Sequence, residues 1–348
     1  MNEKRLPRVS VIIPHYRGKE ILMRCLNGLK STGFENLEII VVDNGSTDGS
    51  CDDVAIQFPE TRLLHSSTNK GYAGGCNLGL EQAAGTYALL LNDDALVTPG
   101  FLHPLVESME KDASVASSQP KILSMPHPTQ FDYAGAAGGY LDLFGYPFCR
   151  GRVFLTVEED RGQYDTPSEI FWASGACCLL RMEAIRKTGF LDDDFFAHME
   201  EIDLQWRLHQ VGYKSVFVPA SVVHHDAGST LQQDSPLKVY LNHRNGLIML
   251  IKNHKWGTLL QILPLRVLMD AAALLYRAFD GEFLNAFAVL KAYASVLVRF
   301  RQIIKKRSHL QSAPSYPDVR SFAGFYGRSI IWDYFVLKRR TFDRLPGI

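Results

Sequence analysis

The chain has 348 residues, 46% of them hydrophobic and 21% charged, with a formal net charge of zero. That length holds one large or two modest domains, and the composition is that of a soluble globular chain. The charge is divided: residues 1–235 carry 19 Lys and Arg against 31 Asp and Glu, and residues 236–348 carry 18 against 6. An acidic body thus precedes a basic part suited to an anionic partner, membrane lipid or nucleic acid.

Met1–Pro7 leads at once into Val9–Pro14, a short buried strand, with no apolar stretch of signal-peptide kind. Ile21–Leu29 has helical spacing. Glu38–Asp43 is a second apolar strand ending in a carboxylate, followed by the turn-rich run Asn44–Gly49. Thr61–His65 reads as a third strand. Asn69–Gly79 is glycine-rich and continues as a helix to Ala84. Ala88–Leu91 then runs straight into Asn92, Asp93 and Asp94, the pattern of a strand buried on both faces. A helix over Phe101–Lys111 and a strand over Val115–Ser118 complete an alternation that predicts a mostly parallel sheet with helices on both faces.

Residues 120–170, rich in Pro, Gly and aromatics, break this alternation and read as an insertion of loops and hairpin, either substrate-facing or packing. The pattern resumes with a strand over Phe171–Met182 and a helix over Glu183–Lys187 closed by Gly189. A helix over Glu201–Val211 ends at Gly212, and a strand follows over Lys214–Pro219. From Leu237 the patterns are long and helical. Leu259–Tyr276 is apolar but interrupted by Pro264, Arg266 and Asp270, and Phe283–Ile304 leads into Lys305-Lys306-Arg307. No run of 18 uninterrupted apolar residues exists, so no transmembrane helix is expected. Basic amphipathic helices of this kind lie on an anionic bilayer surface; the alternative is packing on the body or on a second subunit. The aromatics there sit among aliphatics at helical spacing, as packing residues do, which argues against nucleic acid. The six cysteines form no CxxC pair and no zinc-ligand spacing, and read as buried free thiols of a reducing cytoplasm.

Three acidic stations follow apolar segments: Asp43, Asp93 with Asp94, and Glu200-Glu201-Ile202-Asp203. Carboxylates at a parallel strand end lie where open α/β sheets bind ligands. Asp94, with Asn92 or Asp93, is suited to a divalent cation carrying a diphosphate, Mg2+ or Mn2+ being the fitting hard ions; a solvated turn or helix cap is the plain alternative. The glycines of Asn69–Gly79 allow close backbone approach to a phosphate or ribose, or simply tight helix packing. They form neither a P-loop nor a GxGxxG fingerprint. Phe195–Met199 gives the third station an apolar setting that raises a carboxylate toward general-base range. His224, at the end of Val222-Val223, is a candidate third metal ligand, or a structural histidine.

The order and spacing of these runs resemble the family 2 glycosyltransferases of GT-A fold, in particular the rhamnosyltransferase-like branch. The matching runs are Val9–Pro14, Val41–Asp48, Asn69–Gly75, Leu90–Asp94, Ser174–Ala176, Glu200–Leu204 with Arg207, His224, and Arg244-Asn245, together spanning about residues 8–250. The resemblance implies a GT-A catalytic domain over 1–235. Its nucleotide-sugar half would be 1–118 and its acceptor half 119–235, with a basic, membrane-associating helical region at 236–348. It implies that Asp43 binds the nucleotide base and that Pro14, Tyr16, Asn44, Ser46, Asn69, Lys70, Gly71, Gly74, Asn77, Asn92, Asp93 and Arg244 line the donor. Asp94 would bind the metal with His224. Glu201 falls where the family has a catalytic aspartate, with Glu200 and Asp203 as neighbouring candidates. Asn92 departs from the first acidic position of the family's Asp-x-Asp motif, the loop His15-Tyr16-Arg17 lacks the frequent asparagine, and Cys76 replaces a residue commonly small or polar.

The implied activity is inverting, metal-dependent transfer of rhamnose or a hexose from a UDP- or dTDP-linked donor to a hydroxyl of a cell-envelope glycan or lipid-linked acceptor. The implied location is the inner face of the plasma membrane. A nucleotidyltransferase of related fold would need a basic, glycine-rich loop after the first strand, and Pro14–Gly18 is a poor one. A catalytically inactive membrane scaffold is the non-enzymatic alternative, and the intact acidic stations weigh against it.

Overall fold

The computed structural model describes residues 6–226, 234–312 and 316–348; the Met1–Arg5 part of the N-terminal reading lies outside them. The first half is built from β1 (Val9–His15), α1 (Lys19–Lys30), β2 (Leu37–Asp43), α2 (Val54–Gln57), β3 (Arg62–His65), α3 (Gly71–Gln82) and β4 (Tyr87–Leu91). β1, β2, β3 and β4 are parallel. Their side chains alternate between two cores. Ile12, Ile40, Val42, Ala88 and Leu90 pack with Ala73, Cys76 and Leu80 of α3. Val11, Ile13, Ile39, Val41, Leu89 and Leu91 pack with Leu22, Leu26 and Leu29 of α1. This two-sided burial is why the strands read as continuous apolar runs. α3 lies so close to β1 that a Cβ on Gly79 would meet Ile12 Cγ2 at 2.4 Å, which explains the small residues of that helix by packing.

Beyond the carboxylate station lie β5 (Ala95–Val97), which the sequence reading lacks, α4 (Leu102–Lys111) and β6 (Val115–Ser124). Residues 120–170 are more ordered than loops and a hairpin. They form β7 (Gly139–Asp142), β8 (Pro147–Cys149), β9 (Arg152–Val153), β10 (Thr156–Val157) and β11 (Ser168–Ile170). The expected strand over Phe171–Met182 is confined to β12 (Cys177–Arg181). It pairs antiparallel with β4 and β6, so the sheet is mixed. α5 (Met182–Thr188), α6 (Glu200–Gln210) and β13 (Lys214–His225) follow. β13 runs six residues past Pro219, through a register shift against β6 between Val218 and Val222.

The C-terminal part comprises α7 (Pro236–Asn253), α8 (Trp256–Phe279), α9 (Phe283–Val298), α10 (Phe300–Leu310) and β14 (Phe325–Tyr326). The main sheet has the order β11-β13-β6-β12-β4-β1-β2-β3, with β5 on β13; a second sheet has the order β10-β9-β8-β7-β14, closed by the chain's last strand. The single helix expected over Phe283–Ile304 is two, α9 and α10, bent by 65°. Against the expectation of none, α8 is, by length and composition, long and apolar enough to cross a membrane. It buries Leu259, Ile262, Arg266 and Asp270 at three- and four-residue spacing and leaves Leu260, Leu268, Leu275 and Phe279 exposed. Its buried pair, Arg266 Nε to Asp270 Oδ2 at 3.0 Å, faces the body, with the Phe144 carbonyl and Tyr146 as further partners. All six cysteines are buried and unpaired.

Candidate active site

The strand ends β1, β2 and β4, the start of α6, the end of β13 and the start of α7 meet around a cavity of about 550 Å³. Pro14, Tyr16, Asn44, Asn69, Gly71, Asn92, Asp93, Asp94, Glu200 and Glu201 line it. Asn44 ties the end of β2 to the glycine-rich turn: its amide donates to the Gly71 carbonyl (2.8 Å) and accepts from the Lys70 N–H (2.9 Å). Gly71 has φ 71°, and a Cβ there would lie 2.3 Å from the Phe196 carbonyl oxygen, so only glycine fits.

The other predicted residues are placed differently. Asp43 lies at the end of β2 outside the cavity, its carboxylate accepting from Ser46 and from His65 (3.0 Å). Burial pushes it upward, but those hydrogen bonds prevail and hold it below the ordinary carboxylate value. Ser46, Lys70 and Gly74 are likewise outside, and Asn77 is spent on Leu191 and Asp193. Asp203 is wholly buried and bound by Arg207 (3.0 Å), Lys252 (3.0 Å) and Asn253 (2.8 Å), so it is no free base. Arg244 does not reach the cavity either. It donates to the carbonyls of Asp194 (2.9 Å) and Phe195 (2.7 Å), while the Asn245 amide lies 2.7–2.9 Å from those of Phe195, Ala197 and His198. This pair clamps a strained loop, in which Phe196, His198 and Met199 all have φ between 66° and 74°.

That loop delivers Glu200 and Glu201 into the cavity at the start of α6. Each has a buried carboxylate oxygen without a hydrogen-bond partner among the described residues. Burial pushes Glu201 up to about 7. Glu200 is raised well above its ordinary value, by burial first and by the charge of Glu201 second. Glu201 is therefore poised between its two protonation states near neutrality, and Glu200 is held protonated.

At the β4 end, the histidine that meets Asp94 is His225 and not His224. Successive strand residues face opposite ways, and the cavity wall includes His225 alone. His225 Nε2 lies 3.0 Å from Asp94 Oδ1 and 3.1 Å from the Asn92 amide, and Nδ1 lies 2.9 Å from Asp132 Oδ1. Burial alone would lower His225, but Asp132 and Asp94 push it up to about 10. Asp93 is raised by burial and bonded to His15 Nδ1 (2.6 Å), whose Nε2 reaches Ser50 (2.7 Å). His15, Asp132 and His225 are the site residues that the sequence reading lacks; the strand pairing that separates His225 from His224 is a tertiary fact.

The model of the glycosyl transferase family 2 matches residues 10–189. A curated relative, the N-acetylglucosaminyl-diphospho-decaprenol L-rhamnosyltransferase of Mycobacterium tuberculosis, is 27% identical over 264 residues, covering 72% of this chain and 85% of its own. Among solved structures, a mannosyltransferase from Pyrobaculum calidifontis with GDP-Man and Mn2+ matches at TM-score 0.53 and 19% identity, over 88% of this chain and 86% of its own. GalNAc-T7 with UDP, GalNAc and Mn2+ matches at TM-score 0.58 and 18% identity over 72% of this chain; the matched part is about half (48%) of that longer chain.

Proposed function

The chain belongs to glycosyl transferase family 2, and from that membership we propose that it catalyses an inverting sugar transfer from a nucleoside-diphosphate donor, UDP- or dTDP-linked, to a hydroxyl of a cell-envelope glycan or lipid-linked acceptor. The observation that carries the reading is Glu201, a buried carboxylate at about 7, opening into the same cavity as Asp94 and His225.

Glu201 accepts the proton of the acceptor hydroxyl as that oxygen forms its bond to the anomeric carbon and the bond to the departing diphosphate breaks. Glu200, protonated beside it, adds no second negative charge. Asn92, Asp94 and His225 are the donor set that would hold Mg2+ or Mn2+. Among the described residues no group of three or more acidic, histidine or cysteine side chains is gathered to hold a metal ion, so these residues would bind it only together with the donor's diphosphate oxygens. Asp132 accepts the His225 Nδ1–H and fixes the ring with Nε2 toward Asp94, and Nε2 would have to give up the proton it shares with Asp94 to ligate the ion. When bound, the cation neutralises charge developing on the leaving diphosphate. Pro14, Tyr16, Asn44, Asn69 and Gly71 form the nucleotide wall, with Asp43 at its edge for the base.

The exposed faces of α8 and α9 suit peripheral attachment to the inner face of the plasma membrane. Phe279, Phe283, Leu284 and Phe287 are all exposed there. Burial of Arg266 and Asp270 against the body favours an in-plane α8 over a spanning one.

The test is a donor screen on purified protein with manganese or magnesium, following nucleoside diphosphate release from UDP-, dTDP- and GDP-sugars. Metal-dependent release from one donor, lost in Asp94→Ala, is expected. Silence with every donor, together with no calorimetric binding of UDP or dTDP in the presence of metal, would overturn the reading.

A further inference from the structure

The cavity has a second, cationic pole that the chemistry above does not use. Arg152 of β9 is 9% exposed, and its buried Nε has no hydrogen-bond partner among the described residues. Its guanidinium lies over the Tyr133 ring at 3.8 Å, and Lys238, in the first turn of α7, lies over the same ring at 5.4 Å. Both line the cavity; among the described residues neither is within ion-pair distance of a carboxylate, the nearest acidic influence on Lys238 being the charge of Asp234. Lys238 is lowered by burial and then by the charge of Arg152. The charge of Asp234 offsets this only in part, and two facing cations are costly in a partly dry site unless an anion joins them. His198 adds a third unmet group: its Nε2 is buried without a partner, and burial and Lys238 hold it neutral, at about 4.

The surroundings indicate which anion. On one side, His198 precedes Glu201, the proposed base, by three residues of the same clamped loop. On the other side, Phe154 follows Arg152 by two residues and packs on Tyr334 (5.1 Å) and Phe335 (5.3 Å). Phe335 belongs to an exposed apolar strip that includes Trp332, Val336 and Leu337, flanked by Lys338 and Arg340. The order from base to cations to apolar surface is the order of sugar, phosphate and lipid. We infer that Arg152 and Lys238, set over Tyr133, grip the phosphate of a lipid-phosphate-linked sugar acceptor, leaving its hydroxyl at Glu201 and its chain along the Trp332–Leu337 strip. The inference rests on the transferase reading for the role of Glu201, but the anion site stands on its own geometry.

The test separates the two. Farnesyl diphosphate is titrated calorimetrically into the full chain with EDTA present, so that no metal-held donor subsite can capture it. Farnesol is the phosphate-free control. Wild-type protein is expected to bind farnesyl diphosphate at least tenfold more tightly than farnesol. Lys238→Met and Arg152→Gln should each weaken the diphosphate about tenfold, the scale of one charge-assisted contact, and leave farnesol unchanged. Arg152→Lys should restore part of the loss. Lys238 is less buried than Arg152, so its variant remains informative if Arg152→Gln fails to fold. Equal binding of farnesol and farnesyl diphosphate, or undiminished diphosphate binding in Lys238→Met, would overturn the inference. So would an equal loss of UDP or dTDP binding with manganese in Lys238→Met, which would assign the cations to the donor. Failure of the donor screen with phosphate-selective farnesyl diphosphate binding intact would instead strike the transferase reading alone.

Discussion

Replacing Glu201 with glutamine tests the proposed base by two opposite effects. Burial raises its carboxyl from the ordinary 4.5 to about 7. The folded chain thus holds this proton more tightly than the unfolded chain. The stability it contributes is in place below pH 4.5 and is lost as pH rises through 7. That displacement corresponds to ~3 kcal/mol of destabilisation above pH 7 from the ionised side chain. With 348 residues and an unfolding entropy of roughly 2 cal/mol/K per residue, this amounts to a Tm difference of about 4 °C. Glutamine keeps the shape, removes the charge and relieves the repulsion on Glu200. Because one Glu201 oxygen has no partner among the described residues, the amide forfeits little there. Glu201→Gln should therefore melt about 4 °C above wild type at pH 8.5 and level with it at pH 4.5, while turnover falls on the order of a hundred- to ten-thousandfold. Wild-type kcat should rise with pH around a midpoint near 7, and the variant's residual rate should lack that step. The assay is a pair of melting curves across pH, beside donor turnover with acceptor present. A variant no more stable than wild type at pH 8.5, or one that keeps wild-type turnover, would refute the assignment.

His225→Ala should abolish manganese-dependent nucleotide binding by calorimetry, whereas His224→Ala should retain it; the reverse result would restore the sequence-based choice. Asp203→Ala leaves Lys252 and Arg207 without a shared carboxylate, and should cost about 3 kcal/mol of stability by chemical denaturation. A Tm unchanged from wild type would return Asp203 to the list of candidate bases. Serine at both Phe279 and Phe283, exposed on the α8–α9 turn, should reduce co-sedimentation with anionic vesicles severalfold without altering donor hydrolysis in solution. Undiminished co-sedimentation would move the membrane contact elsewhere.

The parallel half of the fold was legible because both faces of β1, β2 and β4 are buried, so the apolar runs are continuous and their ends are marked by Asp43 and Asn92–Asp94. Carboxylates without a nearby cation in the sequence stood out for the same reason, and Asp94, Glu200 and Glu201 do meet in one cavity. What was hidden depends on partners distant in sequence. Asp203 has the same chemistry as Glu201 but faces Lys252 and Asn253 of α7, 49 and 50 residues on. Arg244-Asn245 carries site-like residue types yet spends its donors on carbonyls. The second sheet was read as loops because its strands are two to four residues long and glycine-punctuated, too short for a period to register.

The opposed charges of the two parts of the chain meet directly at one seam. Lys252 binds Asp192 and Asp203, Lys306 binds Asp192 and Asp194 (2.5 Å each), and Asn245 holds the loop that aims Glu201. α7 and α10 thus brace the acidic body along one seam, while the outward faces of α8 and α9 stay exposed. Cutting the chain after residue 235 would not yield a minimal transferase. It would strand Asp203 in an apolar interior, release the Phe195–Met199 loop and bare the surface beneath α7. The fragment is expected to be insoluble when expressed alone and to regain solubility when residues 236–348 are supplied as a second polypeptide.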